Sequence, residues 1–173
     1  MTEFMNNTNI DTLIKNLASP YQAIRKRACE SLVALGTPAV ASLTEALHNP
    51  NYHVRWEAAK ALGEIGNPAA APPLVKCLED HHLDVRWRAA EDLIAFGREG
   101  LIPLLQALIE HSESVRLREG SYHVLRTLGN TSLKGVTEPV LRALEEIEPA
   151  MKVPQAAHAA LHRLTKEQYQ PVW

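Results

Sequence analysis

Residues 52–66 read YHVRWEAAKALGEIG, and residues 83–97 read LDVRWRAAEDLIAFG. The shared V-R-W-x-A-A recurs 31 residues on, and that recurrence decides the fold. With Val54 as position zero, the series is Ile24, Val54, Val85, Leu117 and Val153, with successive spacings of 30, 31, 32 and 36 residues. Position +4 holds Ala28, Ala58, Ala89, Ser121 and Ala157. Position +8 is leucine throughout, at Leu32, Leu62, Leu93, Leu125 and Leu161. Position +11 is Leu35, Ile65, Phe96, Leu128 and Leu164. Zero, four, eight and eleven share one face of a helix, so each copy predicts an amphipathic helix with a buried stripe.

The ends of these helices are punctuated just as regularly. Position −5 carries Ser19, Asn49, Asp80, Ser112 and Glu148, side chains suited to accept from the free N–H groups of a helix start. Proline follows at Pro20, Pro50 and Pro149, and Ser19 with Gln22 reads as a capping box. Position +12 is Gly36, Gly66, Gly97 and Gly129, then Thr165; glycine there can close a helix in the left-handed conformation. A second, shorter helix is predicted in each unit from the pairs Leu13/Leu17, Leu43/Leu47, Leu74/Leu78, Leu104/Leu108 and Val140/Leu144. Pro38, Pro72, Pro73, Pro103 and Pro139 are expected near its start. The last two units carry extra residues, around 112–117 and 131–138.

The organisation is thus a leader over residues 1–8, then five helix pairs over 9–36, 37–66, 67–97, 98–129 and 130–165, then a tail over 166–173. One helix pair cannot bury its own apolar face, so neighbours must stack, and the fold expected is an all-α right-handed solenoid. No stretch shows the alternation of a strand. In the tail, Tyr169 and Trp173 are read as folding back over the last repeat, or as a peptide that docks on another protein.

The pattern V-R-x-x-A-A-x-A-L-G-x-I-G, clearest over 54–66, resembles the short HEAT-like repeat of phycobilisome lyase type. Such repeats serve many unrelated tasks, so the resemblance speaks for fold more than for function. It implies that the second helix of each pair lines a concave face. On that helix, positions −2, −1, +2, +3, +6 and +9 point away from the buried stripe. Residues so placed include Leu83 and Asp84 in the third unit, Val115 in the fourth, and Met151, Lys152, Gln155, Ala156 and His162 in the fifth.

From this face we select Tyr52, His53, Trp56, Lys60, Trp87, Arg88, Glu91, Arg116, Glu119 and His123 as candidate partner-binding residues. Trp56 and Trp87 hold the same +2 position in adjacent units and are expected to form neighbouring rungs joined by Tyr52. Trp, Tyr and Arg are the residues enriched in binding hot spots. The +1 arginines, Arg25, Arg55, Arg86 and Arg118, read differently. Their recurrence suggests a structural ladder to turn carbonyls or acids, broken by Pro154 in the last unit.

Composition sets the function classes. The 173 residues are 46% hydrophobic and 22% charged, with a net charge of −2, an ordinary balance that argues against general nucleic-acid binding. No apolar run reaches the ~18 residues of a membrane span, and the start MTEFMNNTNI lacks the parts of a signal peptide. Cys29 and Cys77 read as free, buried thiols in a reducing compartment, so a cytoplasmic location is expected.

No metal site is expected from the eight histidines. HEAT-like deoxyhypusine hydroxylases carry His-Glu pairs that bind iron, and no histidine here precedes a glutamate. His81 and His82 read as part of a solvated turn. No catalytic constellation is present. HEAT-like DNA glycosylases use Trp, Tyr and Asp in a basic groove. Trp56, Trp87 and Asp92 match that set loosely, without the basic groove.

The mixed charge of the second-helix face favours a protein partner, hence a non-enzymatic scaffold or adaptor with no cofactor. The second reading is a phycobilin lyase-type or phycobilisome-degradation subunit, in which aromatics, Arg88, Arg116 and His53 hold a bilin; DNA binding is a remote third.

Overall fold

The computed structural model describes residues 2–167, with side chains over 9–166. Ten α-helices and no strand occur among the described residues: α1 Thr2–Asn16, α2 Gln22–Leu35, α3 Val40–Ala46, α4 Tyr52–Ile65, α5 Ala71–Cys77, α6 Leu83–Phe96, α7 Arg98–Glu110, α8 Val115–Leu128, α9 Lys134–Glu145 and α10 Pro149–Glu167. Short 3-10 turns, Thr37–Ala39 and Pro68–Ala70, lead into α3 and α5. The chain is an all-α solenoid. The segment read as a leader is continuous with α1, which starts at Thr2; it contains no proline or glycine to end a helix. Tyr169 and Trp173 lie outside the described residues.

Helices α2, α4, α6 and α8 form one row, each packed on the next, and α5 and α7 are neighbours in the other. The stripe is the reason. Val54, Val85, Leu117, Ala58, Ala89, Leu62, Leu93 and Leu125 are all buried between the rows. Burying one such valine or leucine side chain is worth roughly 1.5–3 kcal/mol. Ile24 breaks the series at 42% exposure, because α2 has a second-row neighbour on one side only.

Helix starts differ from the expected register. The caps of α4, α6 and α8 are Asn51, His82 and Ser114, at −3 rather than −5. The −5 side chains of the first three repeats, Ser19, Asn49 and Asp80, cap the preceding turn instead. Ser19 Oγ accepts from the Tyr21 N–H at 3.2 Å, so the Ser19/Gln22 box does not form; Asn49 Oδ1 accepts from Asn51 at 2.9 Å and Asp80 Oδ1 from His82 at 2.8 Å. Only α10 starts next to its −5 residue, at Pro149. Gly36, Gly66 and Gly97 take positive φ, but Gly129 does not (φ −64°), and its chain continues through a turn to α9. Pro103 and Pro139 lie inside α7 and α9, because these helices begin five residues before their prolines. At the sixth helical position a proline removes the bond to the carbonyl four residues back, and in α9 that carbonyl, of Gly135, accepts from Arg163 Nη1 at 2.9 Å instead.

The fifth unit is turned around. α9 packs on α8, and α10 packs on α9 and α7, so the second helix of this pair joins the row of first helices. Ser112, at the end of α7, donates to the Ala150 carbonyl at 2.8 Å, and Arg98, at its start, bonds the Leu164 carbonyl. α10 therefore runs antiparallel to α7. Sequence marks this break with the 36-residue spacing and with Pro154 in place of the +1 arginine. Leu161 is only half-buried there, unlike its counterparts. Met151, Lys152, Gln155, Ala156 and His162 consequently leave the second-helix face.

Candidate functional site

The second-helix face is fixed from beneath by arginines. Arg25 Nη1 donates to the Ser19 carbonyl at 2.8 Å, Arg55 Nη1 to Asn49 at 2.9 Å, Arg86 Nη1 to Asp80 at 2.8 Å, and Arg118 Nη1 to Ser112. Each reaches the carbonyl six residues back, clamping its helix to the turn before it. Arg55 adds a fork to Asp80, with Nε–Oδ2 at 2.6 Å and Nη2–Oδ1 at 2.8 Å. Burial opposes ionisation of Asp80. The Arg55 fork and the His82 N–H outweigh it and hold the carboxyl below its ordinary range.

Two acids on these helices are buried. Glu57 is 5% exposed, although its +3 position was expected to face out; it turns inward toward Arg25, 3.7 Å away. Asp92 is 1% exposed and takes a fork from Arg88, with Nε–Oδ2 at 3.0 Å and a second bond from Nη2 to Oδ1. Gly63 on α4 makes room for it: a Cβ there would overlap the Asp92 carboxylate. Burial pushes the Asp92 carboxyl up to about 6, against the pull of Arg88. Arg88 is thus occupied within the stack and does not reach out from the face.

The remaining candidates separate into three groups. Tyr52 opens α4 and stacks on His82 with rings parallel and 4.0 Å apart, while the His53 ring lies 4.0 Å away and tilted by 33°. Trp56 is half-buried against the core, with Lys60 Nζ 5.7 Å from its ring and Lys60 also 3.9 Å from Glu64. Among the described residues no ring contact joins Trp56 to Trp87, and Tyr52 pairs with His82 rather than bridging them. The α6 tryptophan stands apart because it is 57% exposed.

Around Trp87 several of the candidate residues come together. His123 of α8 stacks on its ring at 4.6 Å and 28°, and a hydrogen bond of 2.9 Å joins His123 Nε2 to Glu91 Oε1. Leu78, Leu83, Ala90 and Gly120 complete a cavity of about 160 Å³, with Arg116 and Glu119 at its edge. Arg116 Nη1 makes only long contacts, 3.4 Å to the Glu79 carbonyl and 3.4 Å to His81 Nδ1. Leu83, 64% exposed, forms the lip. Sequence reasoning placed Leu83 on this face but did not select it, and it missed His82 as a stacking partner. Repetition of apolar residues at −2 (Tyr52, Leu83, Val115) was the signal available.

Cys29 and Cys77 are buried free thiols, and burial pushes both up to about 12. No helix of the described residues is long and apolar enough to cross a membrane.

Comparison with known proteins agrees with the repeat geometry. The HEAT repeats family model matches residues 10–93, and the chain is a HEAT-repeat protein. The chain is also similar to the phycocyanobilin lyase subunit alpha of Picosynechococcus sp., with 34% identity over 148 residues. That match covers 82% of this chain and 54% of the relative, so the chain spans about half the relative's length. A solved engineered protein also matches, at 20% identity and a TM-score of 0.43, over 90% of this chain and 78% of that one.

Proposed function

We propose that this protein is a non-enzymatic scaffold that holds a segment of a protein partner on its second-helix face, centred on Trp87. One observation carries the reading. Trp87 is a large apolar side chain left 57% exposed, stacked on His123 above a cavity that the core does not need. Aromatic and arginine side chains around a small pocket are the usual anchors of a protein interface. Tyr52 and its histidines extend the surface toward the N-terminal repeats. The mixed charges Glu91, Arg116 and Glu119 suit a peptide better than a phosphate backbone. Two buried thiols fit a reducing, cytoplasmic setting.

The test is affinity capture from the source lysate with wild type and Trp87→Ala, both verified for helicity. A partner retained by wild type and lost by the variant is the expected result. Full retention of every partner by a folded Trp87→Ala overturns the reading.

A second reading has its own support in the similarity to a phycocyanobilin lyase subunit alpha. In that reading the partner is a bilin-carrying protein. Adding the protein to phycocyanobilin and recording the visible spectrum separates the two: a band shift supports bilin handling, and an unchanged spectrum leaves the scaffold.

A further inference from the structure

Size and charge narrow what the α6–α8 cavity accepts. We propose that it is an anchor subsite for one apolar side chain of a protein partner, with an acidic residue next to that side chain meeting Arg116. This rests on the scaffold reading and deepens it. A volume of about 160 Å³ is that of a single large side chain. Sites that enclose whole small molecules run to about 300–1,000 Å³.

The walls agree with that occupant. Leu78 and Ala90 are buried at the base, Leu83 and the Trp87 ring stand open at the rim, and His123 is held by Glu91. Gly120 lets α8 approach this closely, since a Cβ there would lie 3.1 Å from Leu78 Cδ2. The entrance therefore desolvates an aliphatic or aromatic side chain against aliphatic and aromatic surface.

Charge then fixes the neighbour. Arg86 is committed to the carbonyls of Asp80 and His81, at 2.8 and 3.3 Å. Arg116, exposed and held only by contacts of 3.4 Å, keeps donors for a charge-assisted bond. It sits in the first turn of α8, where the helix dipole also favours an anion. Glu119, one turn further along α8, opposes a second acid on its own side. The segment that fits carries an acid on the Arg116 side of its anchor and none on the Glu119 side.

Selection from a display library of random short peptides, on immobilised full-length protein, tests this. Enriched peptides should share an apolar residue with an acid beside it. Their affinity should fall at least about tenfold with Leu83→Asp. Arg116→Glu should move the preference from a neighbouring Glu to a neighbouring Lys. Both positions are exposed, and matching thermal melts establish that the variants fold.

Enriched peptides that ignore Leu83→Asp and Arg116→Glu but lose binding with Trp56→Ala overturn the anchor subsite and leave the second-helix face standing. Enrichment no greater than on an unrelated helical protein overturns both.

Discussion

Among the glycines of the described residues, Gly63 has the least room for a side chain, because Asp92 fills its space. In an exposed helix interior, replacing glycine by alanine usually stabilises by about 0.5–1 kcal/mol. Here the added Cβ meets a carboxylate that is fixed by Arg88 and 1% exposed. Gly63→Ala is therefore expected to destabilise by about 1–3 kcal/mol, as overpacking does. The loss should shrink in the Gly63→Ala/Asp92→Ala double variant, measured by denaturant unfolding.

The same carboxylate makes stability depend on pH. Its folded pKa of about 6 lies above its ordinary value of 3.8, so the folded state holds the proton more tightly. Its contribution is fully present below about 3.8 and is lost as pH rises through about 6. Asp80 acts in the opposite sense: its contribution is present above the ordinary carboxylate value and is lost as pH falls through its lowered one. Asp92→Asn should flatten the stability profile between pH 4 and 6 (roughly the window set by these two values). A profile unchanged by the substitution counts against a raised pKa at Asp92. Neither acid's environment was legible in sequence: position +7 is occupied by other residues in the neighbouring repeats, and a glycine inside a helix announces a close approach without saying to what.

At the scale of the element, the turn-to-helix clamp organises each repeat. The recurrence of arginine at +1 pointed to the residue, and the structure adds the acceptor, the carbonyl six residues back. Arg55 carries more than Arg86, because Asp80 answers Arg55 with two bonds in a largely buried setting. Arg55→Met leaves that carboxylate buried without its partner and should cost about 3–5 kcal/mol. Arg86→Met, which loses only bonds to carbonyls, should cost about 1–3 kcal/mol. Equal melting temperatures for the two variants would refute this ranking.

Helix existence and phase were readable because the stripe repeats without error over four copies. Helix starts were not, because the Ser, Asn and Asp side chains at −5 serve equally well in a turn two residues upstream. Pro103 and Pro139 misled for a related reason: a proline close to the first turn marks a region, and α7 and α9 begin before it.

For the whole molecule, the reversal of α9 and α10 decides which surface is shared. Four second helices stand side by side, and the row continues with α9 rather than α10. The sequence hinted at this only through Pro154, Thr165 and the 36-residue interval, because packing order between helices is not written in the periodicity of any one of them. Removing residues 131–173 would strip the cover from α7 and α8, including the bonds from Ser112 and Arg98. Urea unfolding of that truncated chain should lose the single sharp transition expected of the full-length protein. Leu62, wholly buried in the middle of the stack, offers the contrasting case: Leu62→Ala should cost about 2–5 kcal/mol while the transition stays cooperative.

Of the candidate face, the sequence placed Trp87, Glu91, Arg116, Glu119 and His123 on neighbouring helices, and the structure gathers them around one cavity. It also withdraws Arg88 into the stack and sets Trp56 against the core, distinctions that depend on the buried Asp92 and on packing between rows.

The most direct measurement is photocrosslinking in the source lysate with a benzophenone side chain placed at position 83 or 119, on the pocket rim, and at position 155 or 162, on α10. Crosslinks to one partner from the two rim positions, and none from α10, are the expected result. Crosslinks to that partner from α10 alone would contradict a binding face centred on Trp87.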